Sequence, residues 1–250
     1  MKKKIIASFL CLAITLTGCT SSDEKNAATL MLNKLSTEYN TTFEIVDIDT
    51  RPTSEVNELG DVYYAYVKYT GERAELQNMG FYCEVNKNLT IFDDCFANIR
   101  FRPSLDSYYK DKIDIDDAIV VTSVATDDND SYVKKYNYRT VFNNNIEHSI
   151  TIVIPVSDVD AESLDAEVCY KELKESLTRL NSKYSGSLYI VYCKDDYVEE
   201  YVDYLNHLQK FNYKVKYKKI IADITYDLSS VSDVKASFIR QMNSDLNAKE

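Results

Sequence analysis

The sequence is poor in the residues from which most catalytic and cofactor motifs are built. It has no tryptophan, two histidines, three prolines and five glycines. The glycines are isolated from one another, which excludes a glycine-rich phosphate loop and a G-x-S-x-G nucleophile turn. The scarcity of glycine and proline also argues against long flexible linkers. We therefore predict no cofactor site.

Histidine is too scarce to support a metal site. His148 and His207 fall in different predicted elements, and neither has a His or Cys partner at the spacing of a zinc site. We expect both side chains at the surface or at the rim of an element. We accordingly predict no metal ligand and no Ser-His-Asp triad.

Acidic residues are abundant, and they give no specific signal. The chain has 40 acidic and 29 basic side chains. An EF-hand loop counted from Asp128 places Val133 and Arg139 where calcium coordination requires Gly and Glu, so that motif fails. With so many acids a hydrolytic carboxylate pair can always be nominated, so no catalytic residue is predicted. We expect solvated turn acids at Asp114, Asp116, Asp117, Asp127, Asp128 and Asp130.

The N-terminus has the pattern of a secretory signal. Three lysines, Lys2 to Lys4, precede an apolar run from Ile5 to Leu16, which is too short to cross a bilayer. The run ends in Leu16-Thr17-Gly18-Cys19, which resembles the lipobox of bacterial lipoproteins. The resemblance implies cleavage after Gly18 and a diacylglyceryl group on the thiol of Cys19, which becomes the new N-terminus.

Lipidation would place the protein on the membrane without spanning it. Two acyl chains give stable anchoring. We predict a signal peptide at 1–18 and a lipid-anchored tether at 19–26, although Ser21 and Glu24 also have capping-box spacing. Removing residues 1–18 lowers the net charge from −11 to −14, which disfavours nucleic acid as a partner. The predicted location is the extracytoplasmic face of the cell membrane.

Residues 27–113 are predicted to form a helix packed on a small antiparallel sheet. The helix is expected over 25–38, followed by strands at 42–49 and 61–70, a hairpin that turns at 86–88, and a short helix over 103–112. This layout resembles small membrane-anchored proteins of unknown function from Gram-positive bacteria. The predicted hairpin register pairs Cys83 with Ile91, which would place Cys95 about 13 Å from Cys83, too far for a disulfide.

Residues 114–250 are predicted to form a mixed α/β unit, which makes the whole chain α+β. Strand, helix, strand, helix and strand alternate from residue 148 onward. The expected strands are 118–126, 136–142, 149–156, 187–193 and 213–226, and the expected helices are 160–182, 196–212 and a last helix ending at 247.

Cys169 and Cys193 should lie at the same level of this unit, because the helix and strand that carry them are joined by a short loop. We expect two thiols within about 10 Å and no bond. The alternative is a disulfide, which requires the Cys193 face of the strand to meet helix 160–182.

Two surface patterns each have two interpretations. Lys214, Lys216 and Lys218 share one strand face, either as an edge guarded against aggregation or as a docking site for anionic lipid or wall polymer. Four tyrosines of one strand either stack on sugars or pack on both sides of a covered strand: Tyr63, Tyr64, Tyr66 and Tyr69.

Three functions remain open from the sequence. We favour a non-catalytic lipoprotein that binds a ligand or a protein partner at the envelope. A carboxylate-based hydrolase of an envelope polymer would be indicated by a deep cleft with two facing acids. A scaffold subunit of an envelope complex would be indicated by a large exposed apolar patch.

Overall fold

The computed structural model describes residues 21–51, 62–77, 79–90, 92–124, 137–180, 186–206, 219–229 and 234–248. Their contacts divide the chain into two compact units, Met1–Asp94 and Cys95–Glu250. The predicted boundary between 113 and 114 is wrong, because Phe101, Leu105 and Tyr109 are buried in the core of the second unit. The predicted α+β class is confirmed, with a four-stranded sheet in each unit.

The first helix, α1 (Ser22–Tyr39), begins inside the predicted tether. Ser21 Oγ accepts a hydrogen bond from the backbone N–H of Glu24 at 3.2 Å, and the Glu24 carboxylate accepts from the Ser21 N–H at 2.6 Å. This capping box satisfies two of the N–H groups that a helix start leaves open. The tether prediction for 19–26 is therefore corrected, because residues 22–26 are helical.

The sheet of the first unit is antiparallel, in the order β1-β2-β3-β4. A bulge between Ile45 and Asp47 shifts the alternation of β1, so that Ile48 is buried and Val46 is exposed. A 3-10 turn at Ala74–Leu76 links β2 to β3. The strands are β1 (Phe43–Arg51), β2 (Val62–Tyr69), β3 (Gly80–Asn86) and β4 (Phe92–Asp94).

The predicted hairpin register is wrong. Cys83 pairs with Asp94 rather than with Ile91. The connection is longer than expected because the Asn86 side chain accepts from the Thr90 N–H at 2.8 Å, and Leu89 adopts a φ of 58°. Cys83 and Cys95 form no disulfide. The predicted separation of about 13 Å is nevertheless wrong, because Cys95 directly follows Asp94, the partner of Cys83.

The second unit has a mixed sheet in the order β5-β6-β7-β8. The β6–β7 pair is parallel and the other two pairs are antiparallel. The predicted β-α-β-α-β order and C-terminal helix are confirmed. The elements are α2 (Phe96–Arg100), α3 (Arg102–Lys110), β5 (Ile119–Val124), α4 (Tyr138–Asn143), β6 (His148–Val156), α5 (Asp158–Ala161), α6 (Ala166–Arg179), β7 (Ser187–Lys194), α7 (Asp195–Asn206), β8 (Ile220–Asp227) and α8 (Lys235–Asn247).

Two predicted elements of this unit differ from the structure. A strand is expected at 136–142, but the described residues of this stretch form helix α4, which begins at Tyr138 and is capped by Asn137, whose side chain accepts from the Thr140 N–H. The expected helix at 160–182 is divided into α5 and α6, because Asp165 caps a new helix. On α6 the side chain of Val168 is 54% exposed, whereas Cys169, Leu173 and Leu177 are buried.

Cys169 and Cys193 pack on opposite faces of the second sheet. Cys169 packs with Tyr192 in the larger core cluster, and Cys193 packs with Tyr197 in the smaller one. Helix α6 therefore meets the face opposite to Cys193, which rules out the bridged alternative. Both side chains are free thiols. Burial raises the pKa of each thiol, to about 11 for Cys193, so both are poor nucleophiles.

Helix α3 covers the outer edge of β5. The Thr122 N–H donates to Asp106 Oδ1 at 2.7 Å, and the Thr122 carbonyl accepts from Arg102 Nε at 2.7 Å. The two side chains are four residues apart, on one face of the helix. They occupy the backbone groups with which an additional strand would pair, and so protect this edge.

Helix α8 covers the opposite edge in the same manner. The N–H of Asp223 donates to Asp245 Oδ2 at 2.9 Å, and the N–H of Thr225 donates to Gln241 Oε1 at 3.1 Å. Gln241 and Asp245 are again four residues apart. Both edges of the second sheet are therefore bonded to helical side chains rather than left open.

Candidate functional site

The two faces of the second sheet are covered unequally. One face carries the large core cluster, which includes Ile150 and Ile190. On the other face, α7 packs Tyr197 and Tyr201 over Val191 and neighbouring residues. Beside this contact the sheet carries a cleft of about 290 Å³. This volume lies at the lower end of the range of small-molecule sites.

The floor of the cleft is formed by two rows of side chains that cross adjacent strands. Val121, Thr151 and Tyr189 are successive partners across β5, β6 and β7. Ser123 and Ser149 are partners in the next row. The C-terminal part of α7 adds Tyr201, Tyr204 and Leu205, and the remaining lining residues are Arg102, Thr122, Val191 and Asp223.

Four hydroxyl groups of this lining form no hydrogen bond with the described part of the chain. Within the described ranges, no hydrogen bond is formed by the side chains of Ser123, Ser149, Thr151 or Tyr201. Thr151 is 8% exposed and Tyr201 is 7% exposed, and in both residues the hydroxyl oxygen belongs to the small part of the side chain that is open to solvent in the cleft. Hydroxyl groups that are open to a cleft can bond to water, and a ligand that reproduces those hydrogen bonds can displace it. The four hydroxyls converge on one cleft and can therefore bond together to a polar ligand.

The buried cation at the edge of the cleft is balanced within the protein. Arg102 is 1% exposed and donates to backbone carbonyls of Thr122 and Asn206 at 2.7 and 3.1 Å. The carboxyl group of Asp106 lies close enough to interact with the Arg102 charge. Burial raises the pKa of Asp106 to about 6, so the group is largely ionised at neutral pH. The pair positions the β5 edge and carries little net charge.

The rim of the cleft is acidic. Asp223 is exposed, and both partial burial and the nearby Asp245 carboxylate raise its pKa. Burial, together with the charge of Asp223, raises the pKa of Tyr201, so its hydroxyl stays protonated as a donor. Among the described lining residues Asp223 is the one carboxylate.

His148 has a structural role, contrary to the expectation of a rim position. It is 2% exposed, with Nε2 2.6 Å from the Tyr109 hydroxyl and Nδ1 3.1 Å from the Ile146 carbonyl. The carbonyl can only accept, so the proton belongs on Nδ1, and Nε2 accepts from Tyr109. Burial lowers the pKa of His148, which keeps the ring neutral.

The other sequence candidates do not join the cleft. Tyr63, Tyr66 and Tyr69 are buried, and Tyr64 stacks on Tyr82 with ring centroids 4.7 Å apart, as the strand-packing alternative predicts. The acids of the first cluster are exposed: Asp114, Asp116 and Asp117. Within the described residues, no group of three His, Cys, Asp or Glu side chains could hold a metal ion.

Several predicted features lie outside the described residues. They are the lipobox with Cys19, the second acidic cluster with Asp127, Asp128 and Asp130, His207, and the lysines Lys214, Lys216 and Lys218. No helix in the described part of the chain has the length and apolar character needed to cross a membrane.

The cleft is not among the features predicted from the sequence. The available signal was a polar residue at every second position of strands that are otherwise apolar. Ser149 and Thr151 interrupt the isoleucine and valine run of β6 with strand periodicity, and Ser123 does the same in β5. Such a row marks a face that is not filled by core side chains.

Comparison with known proteins supports the fold alone. No family model and no curated protein matches the sequence. The structure is similar to the crystal structure of a DUF5037 family protein from Ruminococcus gnavus ATCC 29149, with a TM-score of 0.50 and 9% sequence identity. The match covers 82% of this chain and 98% of the other.

Proposed function

We propose that the chain is a lipid-anchored protein of the outer face of the cell membrane, which binds a ligand in the cleft of its second unit without chemical conversion. One observation carries the location: Leu16-Thr17-Gly18-Cys19 is followed, after a single residue, by the capped start of α1 at Ser21. The predicted signal peptide and the predicted lipidation site are thus separated from the N-cap of the first helix by Thr20 alone.

The short connection restricts where the first unit lies. Ser21, the N-cap, is two residues after Cys19, so their Cα atoms can be at most about 7 Å apart. Helix α1 buries one face in the first unit, through Ala28, Leu32 and Leu35 among others. A lipid on Cys19 would therefore hold this unit close to the bilayer surface.

The structure favours binding over the two alternatives. Glycoside hydrolysis requires two carboxyl groups across the reacting bond, and the described lining of the cleft supplies Asp223 alone. A scaffold subunit would be marked by a broad apolar patch. In the described ranges the exposed large apolar side chains are Val46, Val159 and Val168, which occur singly along the chain.

Replacing Cys19 with alanine tests the anchor. We expect Cys19→Ala to abolish incorporation of a labelled fatty acid and to remove the protein from the high-salt-washed membrane fraction. The thiol is the only group at this position that can accept the diacylglyceryl chain. Fractionation with metabolic labelling in a bacterial host measures both effects.

Cys11→Ala is the matched control, because Cys11 lies in the same apolar run but outside the lipobox. That variant should be lipidated and retained like the wild type. Retention of Cys19→Ala on washed membranes, or loss of the label in Cys11→Ala alone, would contradict the anchoring proposal.

A further inference from the structure

The ligand class can be inferred from the lining of the cleft. A hydroxyl group both donates and accepts hydrogen bonds. The hydroxyls of Ser123, Ser149, Thr151 and Tyr201, which bond to no described residue, therefore suit a ligand with several groups of the same dual character. An anionic group can only accept hydrogen bonds and an ammonium group can only donate them, so a charged ligand would use only one of the two abilities of each hydroxyl.

The aromatic side chains supply the complementary surface. Tyr189 lies in the floor, and Tyr201 and Tyr204 come from α7, with their ring centroids 6.0 Å apart. Tyrosine presents an apolar ring with a polar tip, so it packs on a carbon framework while its hydroxyl bonds to polar substituents. A sugar ring combines both features, an apolar C–H face and a rim of hydroxyl groups.

The charges at the cleft and on the whole chain argue against an acidic sugar as the ligand. The Arg102 charge is opposed by Asp106, and the exposed carboxylate at the rim belongs to Asp223. The processed chain would carry a net charge of −14. A uronate or a phosphate-bearing polymer would therefore be repelled at the entrance.

From these observations we propose that the cleft binds a neutral sugar, one ring at a time, with its hydroxyls on Ser123, Ser149, Thr151 and Tyr201 and its C–H face against the tyrosines. The volume of about 290 Å³ suits a single ring rather than an oligosaccharide. This inference rests on the binding part of the proposed function and is independent of the lipid anchor.

The test measures binding of defined sugars to the full-length processed protein in detergent, by saturation-transfer NMR and calorimetry. The probes are glucose, galactose and N-acetylglucosamine, with glucuronate as an anionic analogue of glucose. Methyl β-glucoside resembles a sugar unit within a polymer, because its anomeric oxygen is substituted. Comparing its binding with that of glucose therefore distinguishes a polymer unit from a free sugar as the ligand. We expect at least one neutral probe to bind about tenfold more tightly than glucuronate.

Two conservative variants assign binding to the cleft. Thr151→Val and Tyr201→Phe each remove one hydroxyl with little change in shape, and each should weaken sugar binding about threefold to tenfold. Thr225→Val is the matched control, since Thr225 is exposed on β8 and does not line the cleft. That variant should bind like the wild type, and thermal unfolding should show all three variants folded.

The outcomes separate this inference from the proposed function. Binding of neutral sugars that weakens in Thr151→Val and Tyr201→Phe supports it. Binding of glucuronate in place of the neutral sugars overturns the ligand class and leaves the cleft as a binding site. No binding of any probe, or sugar binding that neither variant changes, overturns the cleft itself. The lipid anchor is judged separately, by the Cys19→Ala fractionation.

Discussion

Replacing Gly186 with alanine should destabilise the second unit by about 3–5 kcal/mol, a large effect for the addition of a single methyl group. Gly186 has a φ of 134°, in a region that L-residues with a side chain rarely adopt. A Cβ atom at this position would lie 1.7 Å from the backbone carbonyl oxygen of His148. Neither the strain nor the clash can be relieved by rotating a side chain.

The position of Gly186 explains why this clash is costly. It precedes β7 and lies beside the start of β6, and its carbonyl accepts from the Leu228 N–H at 2.9 Å. Moving it would disturb the parallel β6–β7 pair, which lies at the centre of the sheet. The strands that carry the cleft floor would shift with it.

Thermal unfolding and amide hydrogen exchange measure the effect. A loss of this size corresponds to a fall in the unfolding temperature of roughly 10 °C for a unit of this length. Exchange should quicken most in peptides from β6 and β7. Ser187→Ala is the control at the next position, where the backbone is extended, and it should change little. A Gly186→Ala protein with wild-type exchange in these strands would contradict the argument.

Much of the fold follows from patterns that burial imposes on the sequence. The continuous apolar run of β7 predicts a strand covered on both faces, and β7 is an inner strand between β6 and β8. The capping spacing of Ser21 and Glu24 marks the start of α1. These features depend on residues close together in the chain, so the sequence alone contains the necessary information.

The failed predictions depend on contacts between distant residues. Residues 136–142 alternate like a strand, yet helix α4 begins at Tyr138. Within it Tyr138 and Phe142, one turn apart, both contact the ring of Tyr108. The centroid distances are 4.7 and 4.8 Å. Similarly, the hairpin register is set by the side chain of Asn86 and not by the apolar pattern. The cleft requires the positions of three strands and one helix, which no local pattern supplies.

The Asp106 carboxyl group should make the stability of the second unit fall as the pH rises from about 4 to about 6. Burial raises its pKa to about 6 from 3.8, and this effect outweighs the opposing effects of the two Thr122 hydrogen bonds and the Arg102 charge. The folded state therefore holds the proton more tightly than the unfolded state. The stabilisation is complete below pH 4, decreases as the unfolded chain ionises first, and is lost once the folded group also ionises. The difference between the folded and unfolded pKa of Asp106 corresponds to about 3 kcal/mol in the free energy of unfolding.

Asp106→Asn should remove this slope. Asparagine keeps an oxygen that can accept from the Thr122 N–H and hydroxyl groups, which Asp106 Oδ1 contacts at 2.7 Å each, but it does not titrate. Urea unfolding at pH 4, 5, 6 and 7 gives the free energy of unfolding of both proteins. Subtracting the two profiles cancels the opposite contribution of His148, whose lowered pKa makes stability rise with pH below about 6.5.

Asp111→Asn, which alters an exposed carboxylate just after α3, should keep the wild-type slope. A difference between wild type and Asp106→Asn that stays constant from pH 4 to pH 7 would show that Asp106 is not the titrating group at the β5 edge.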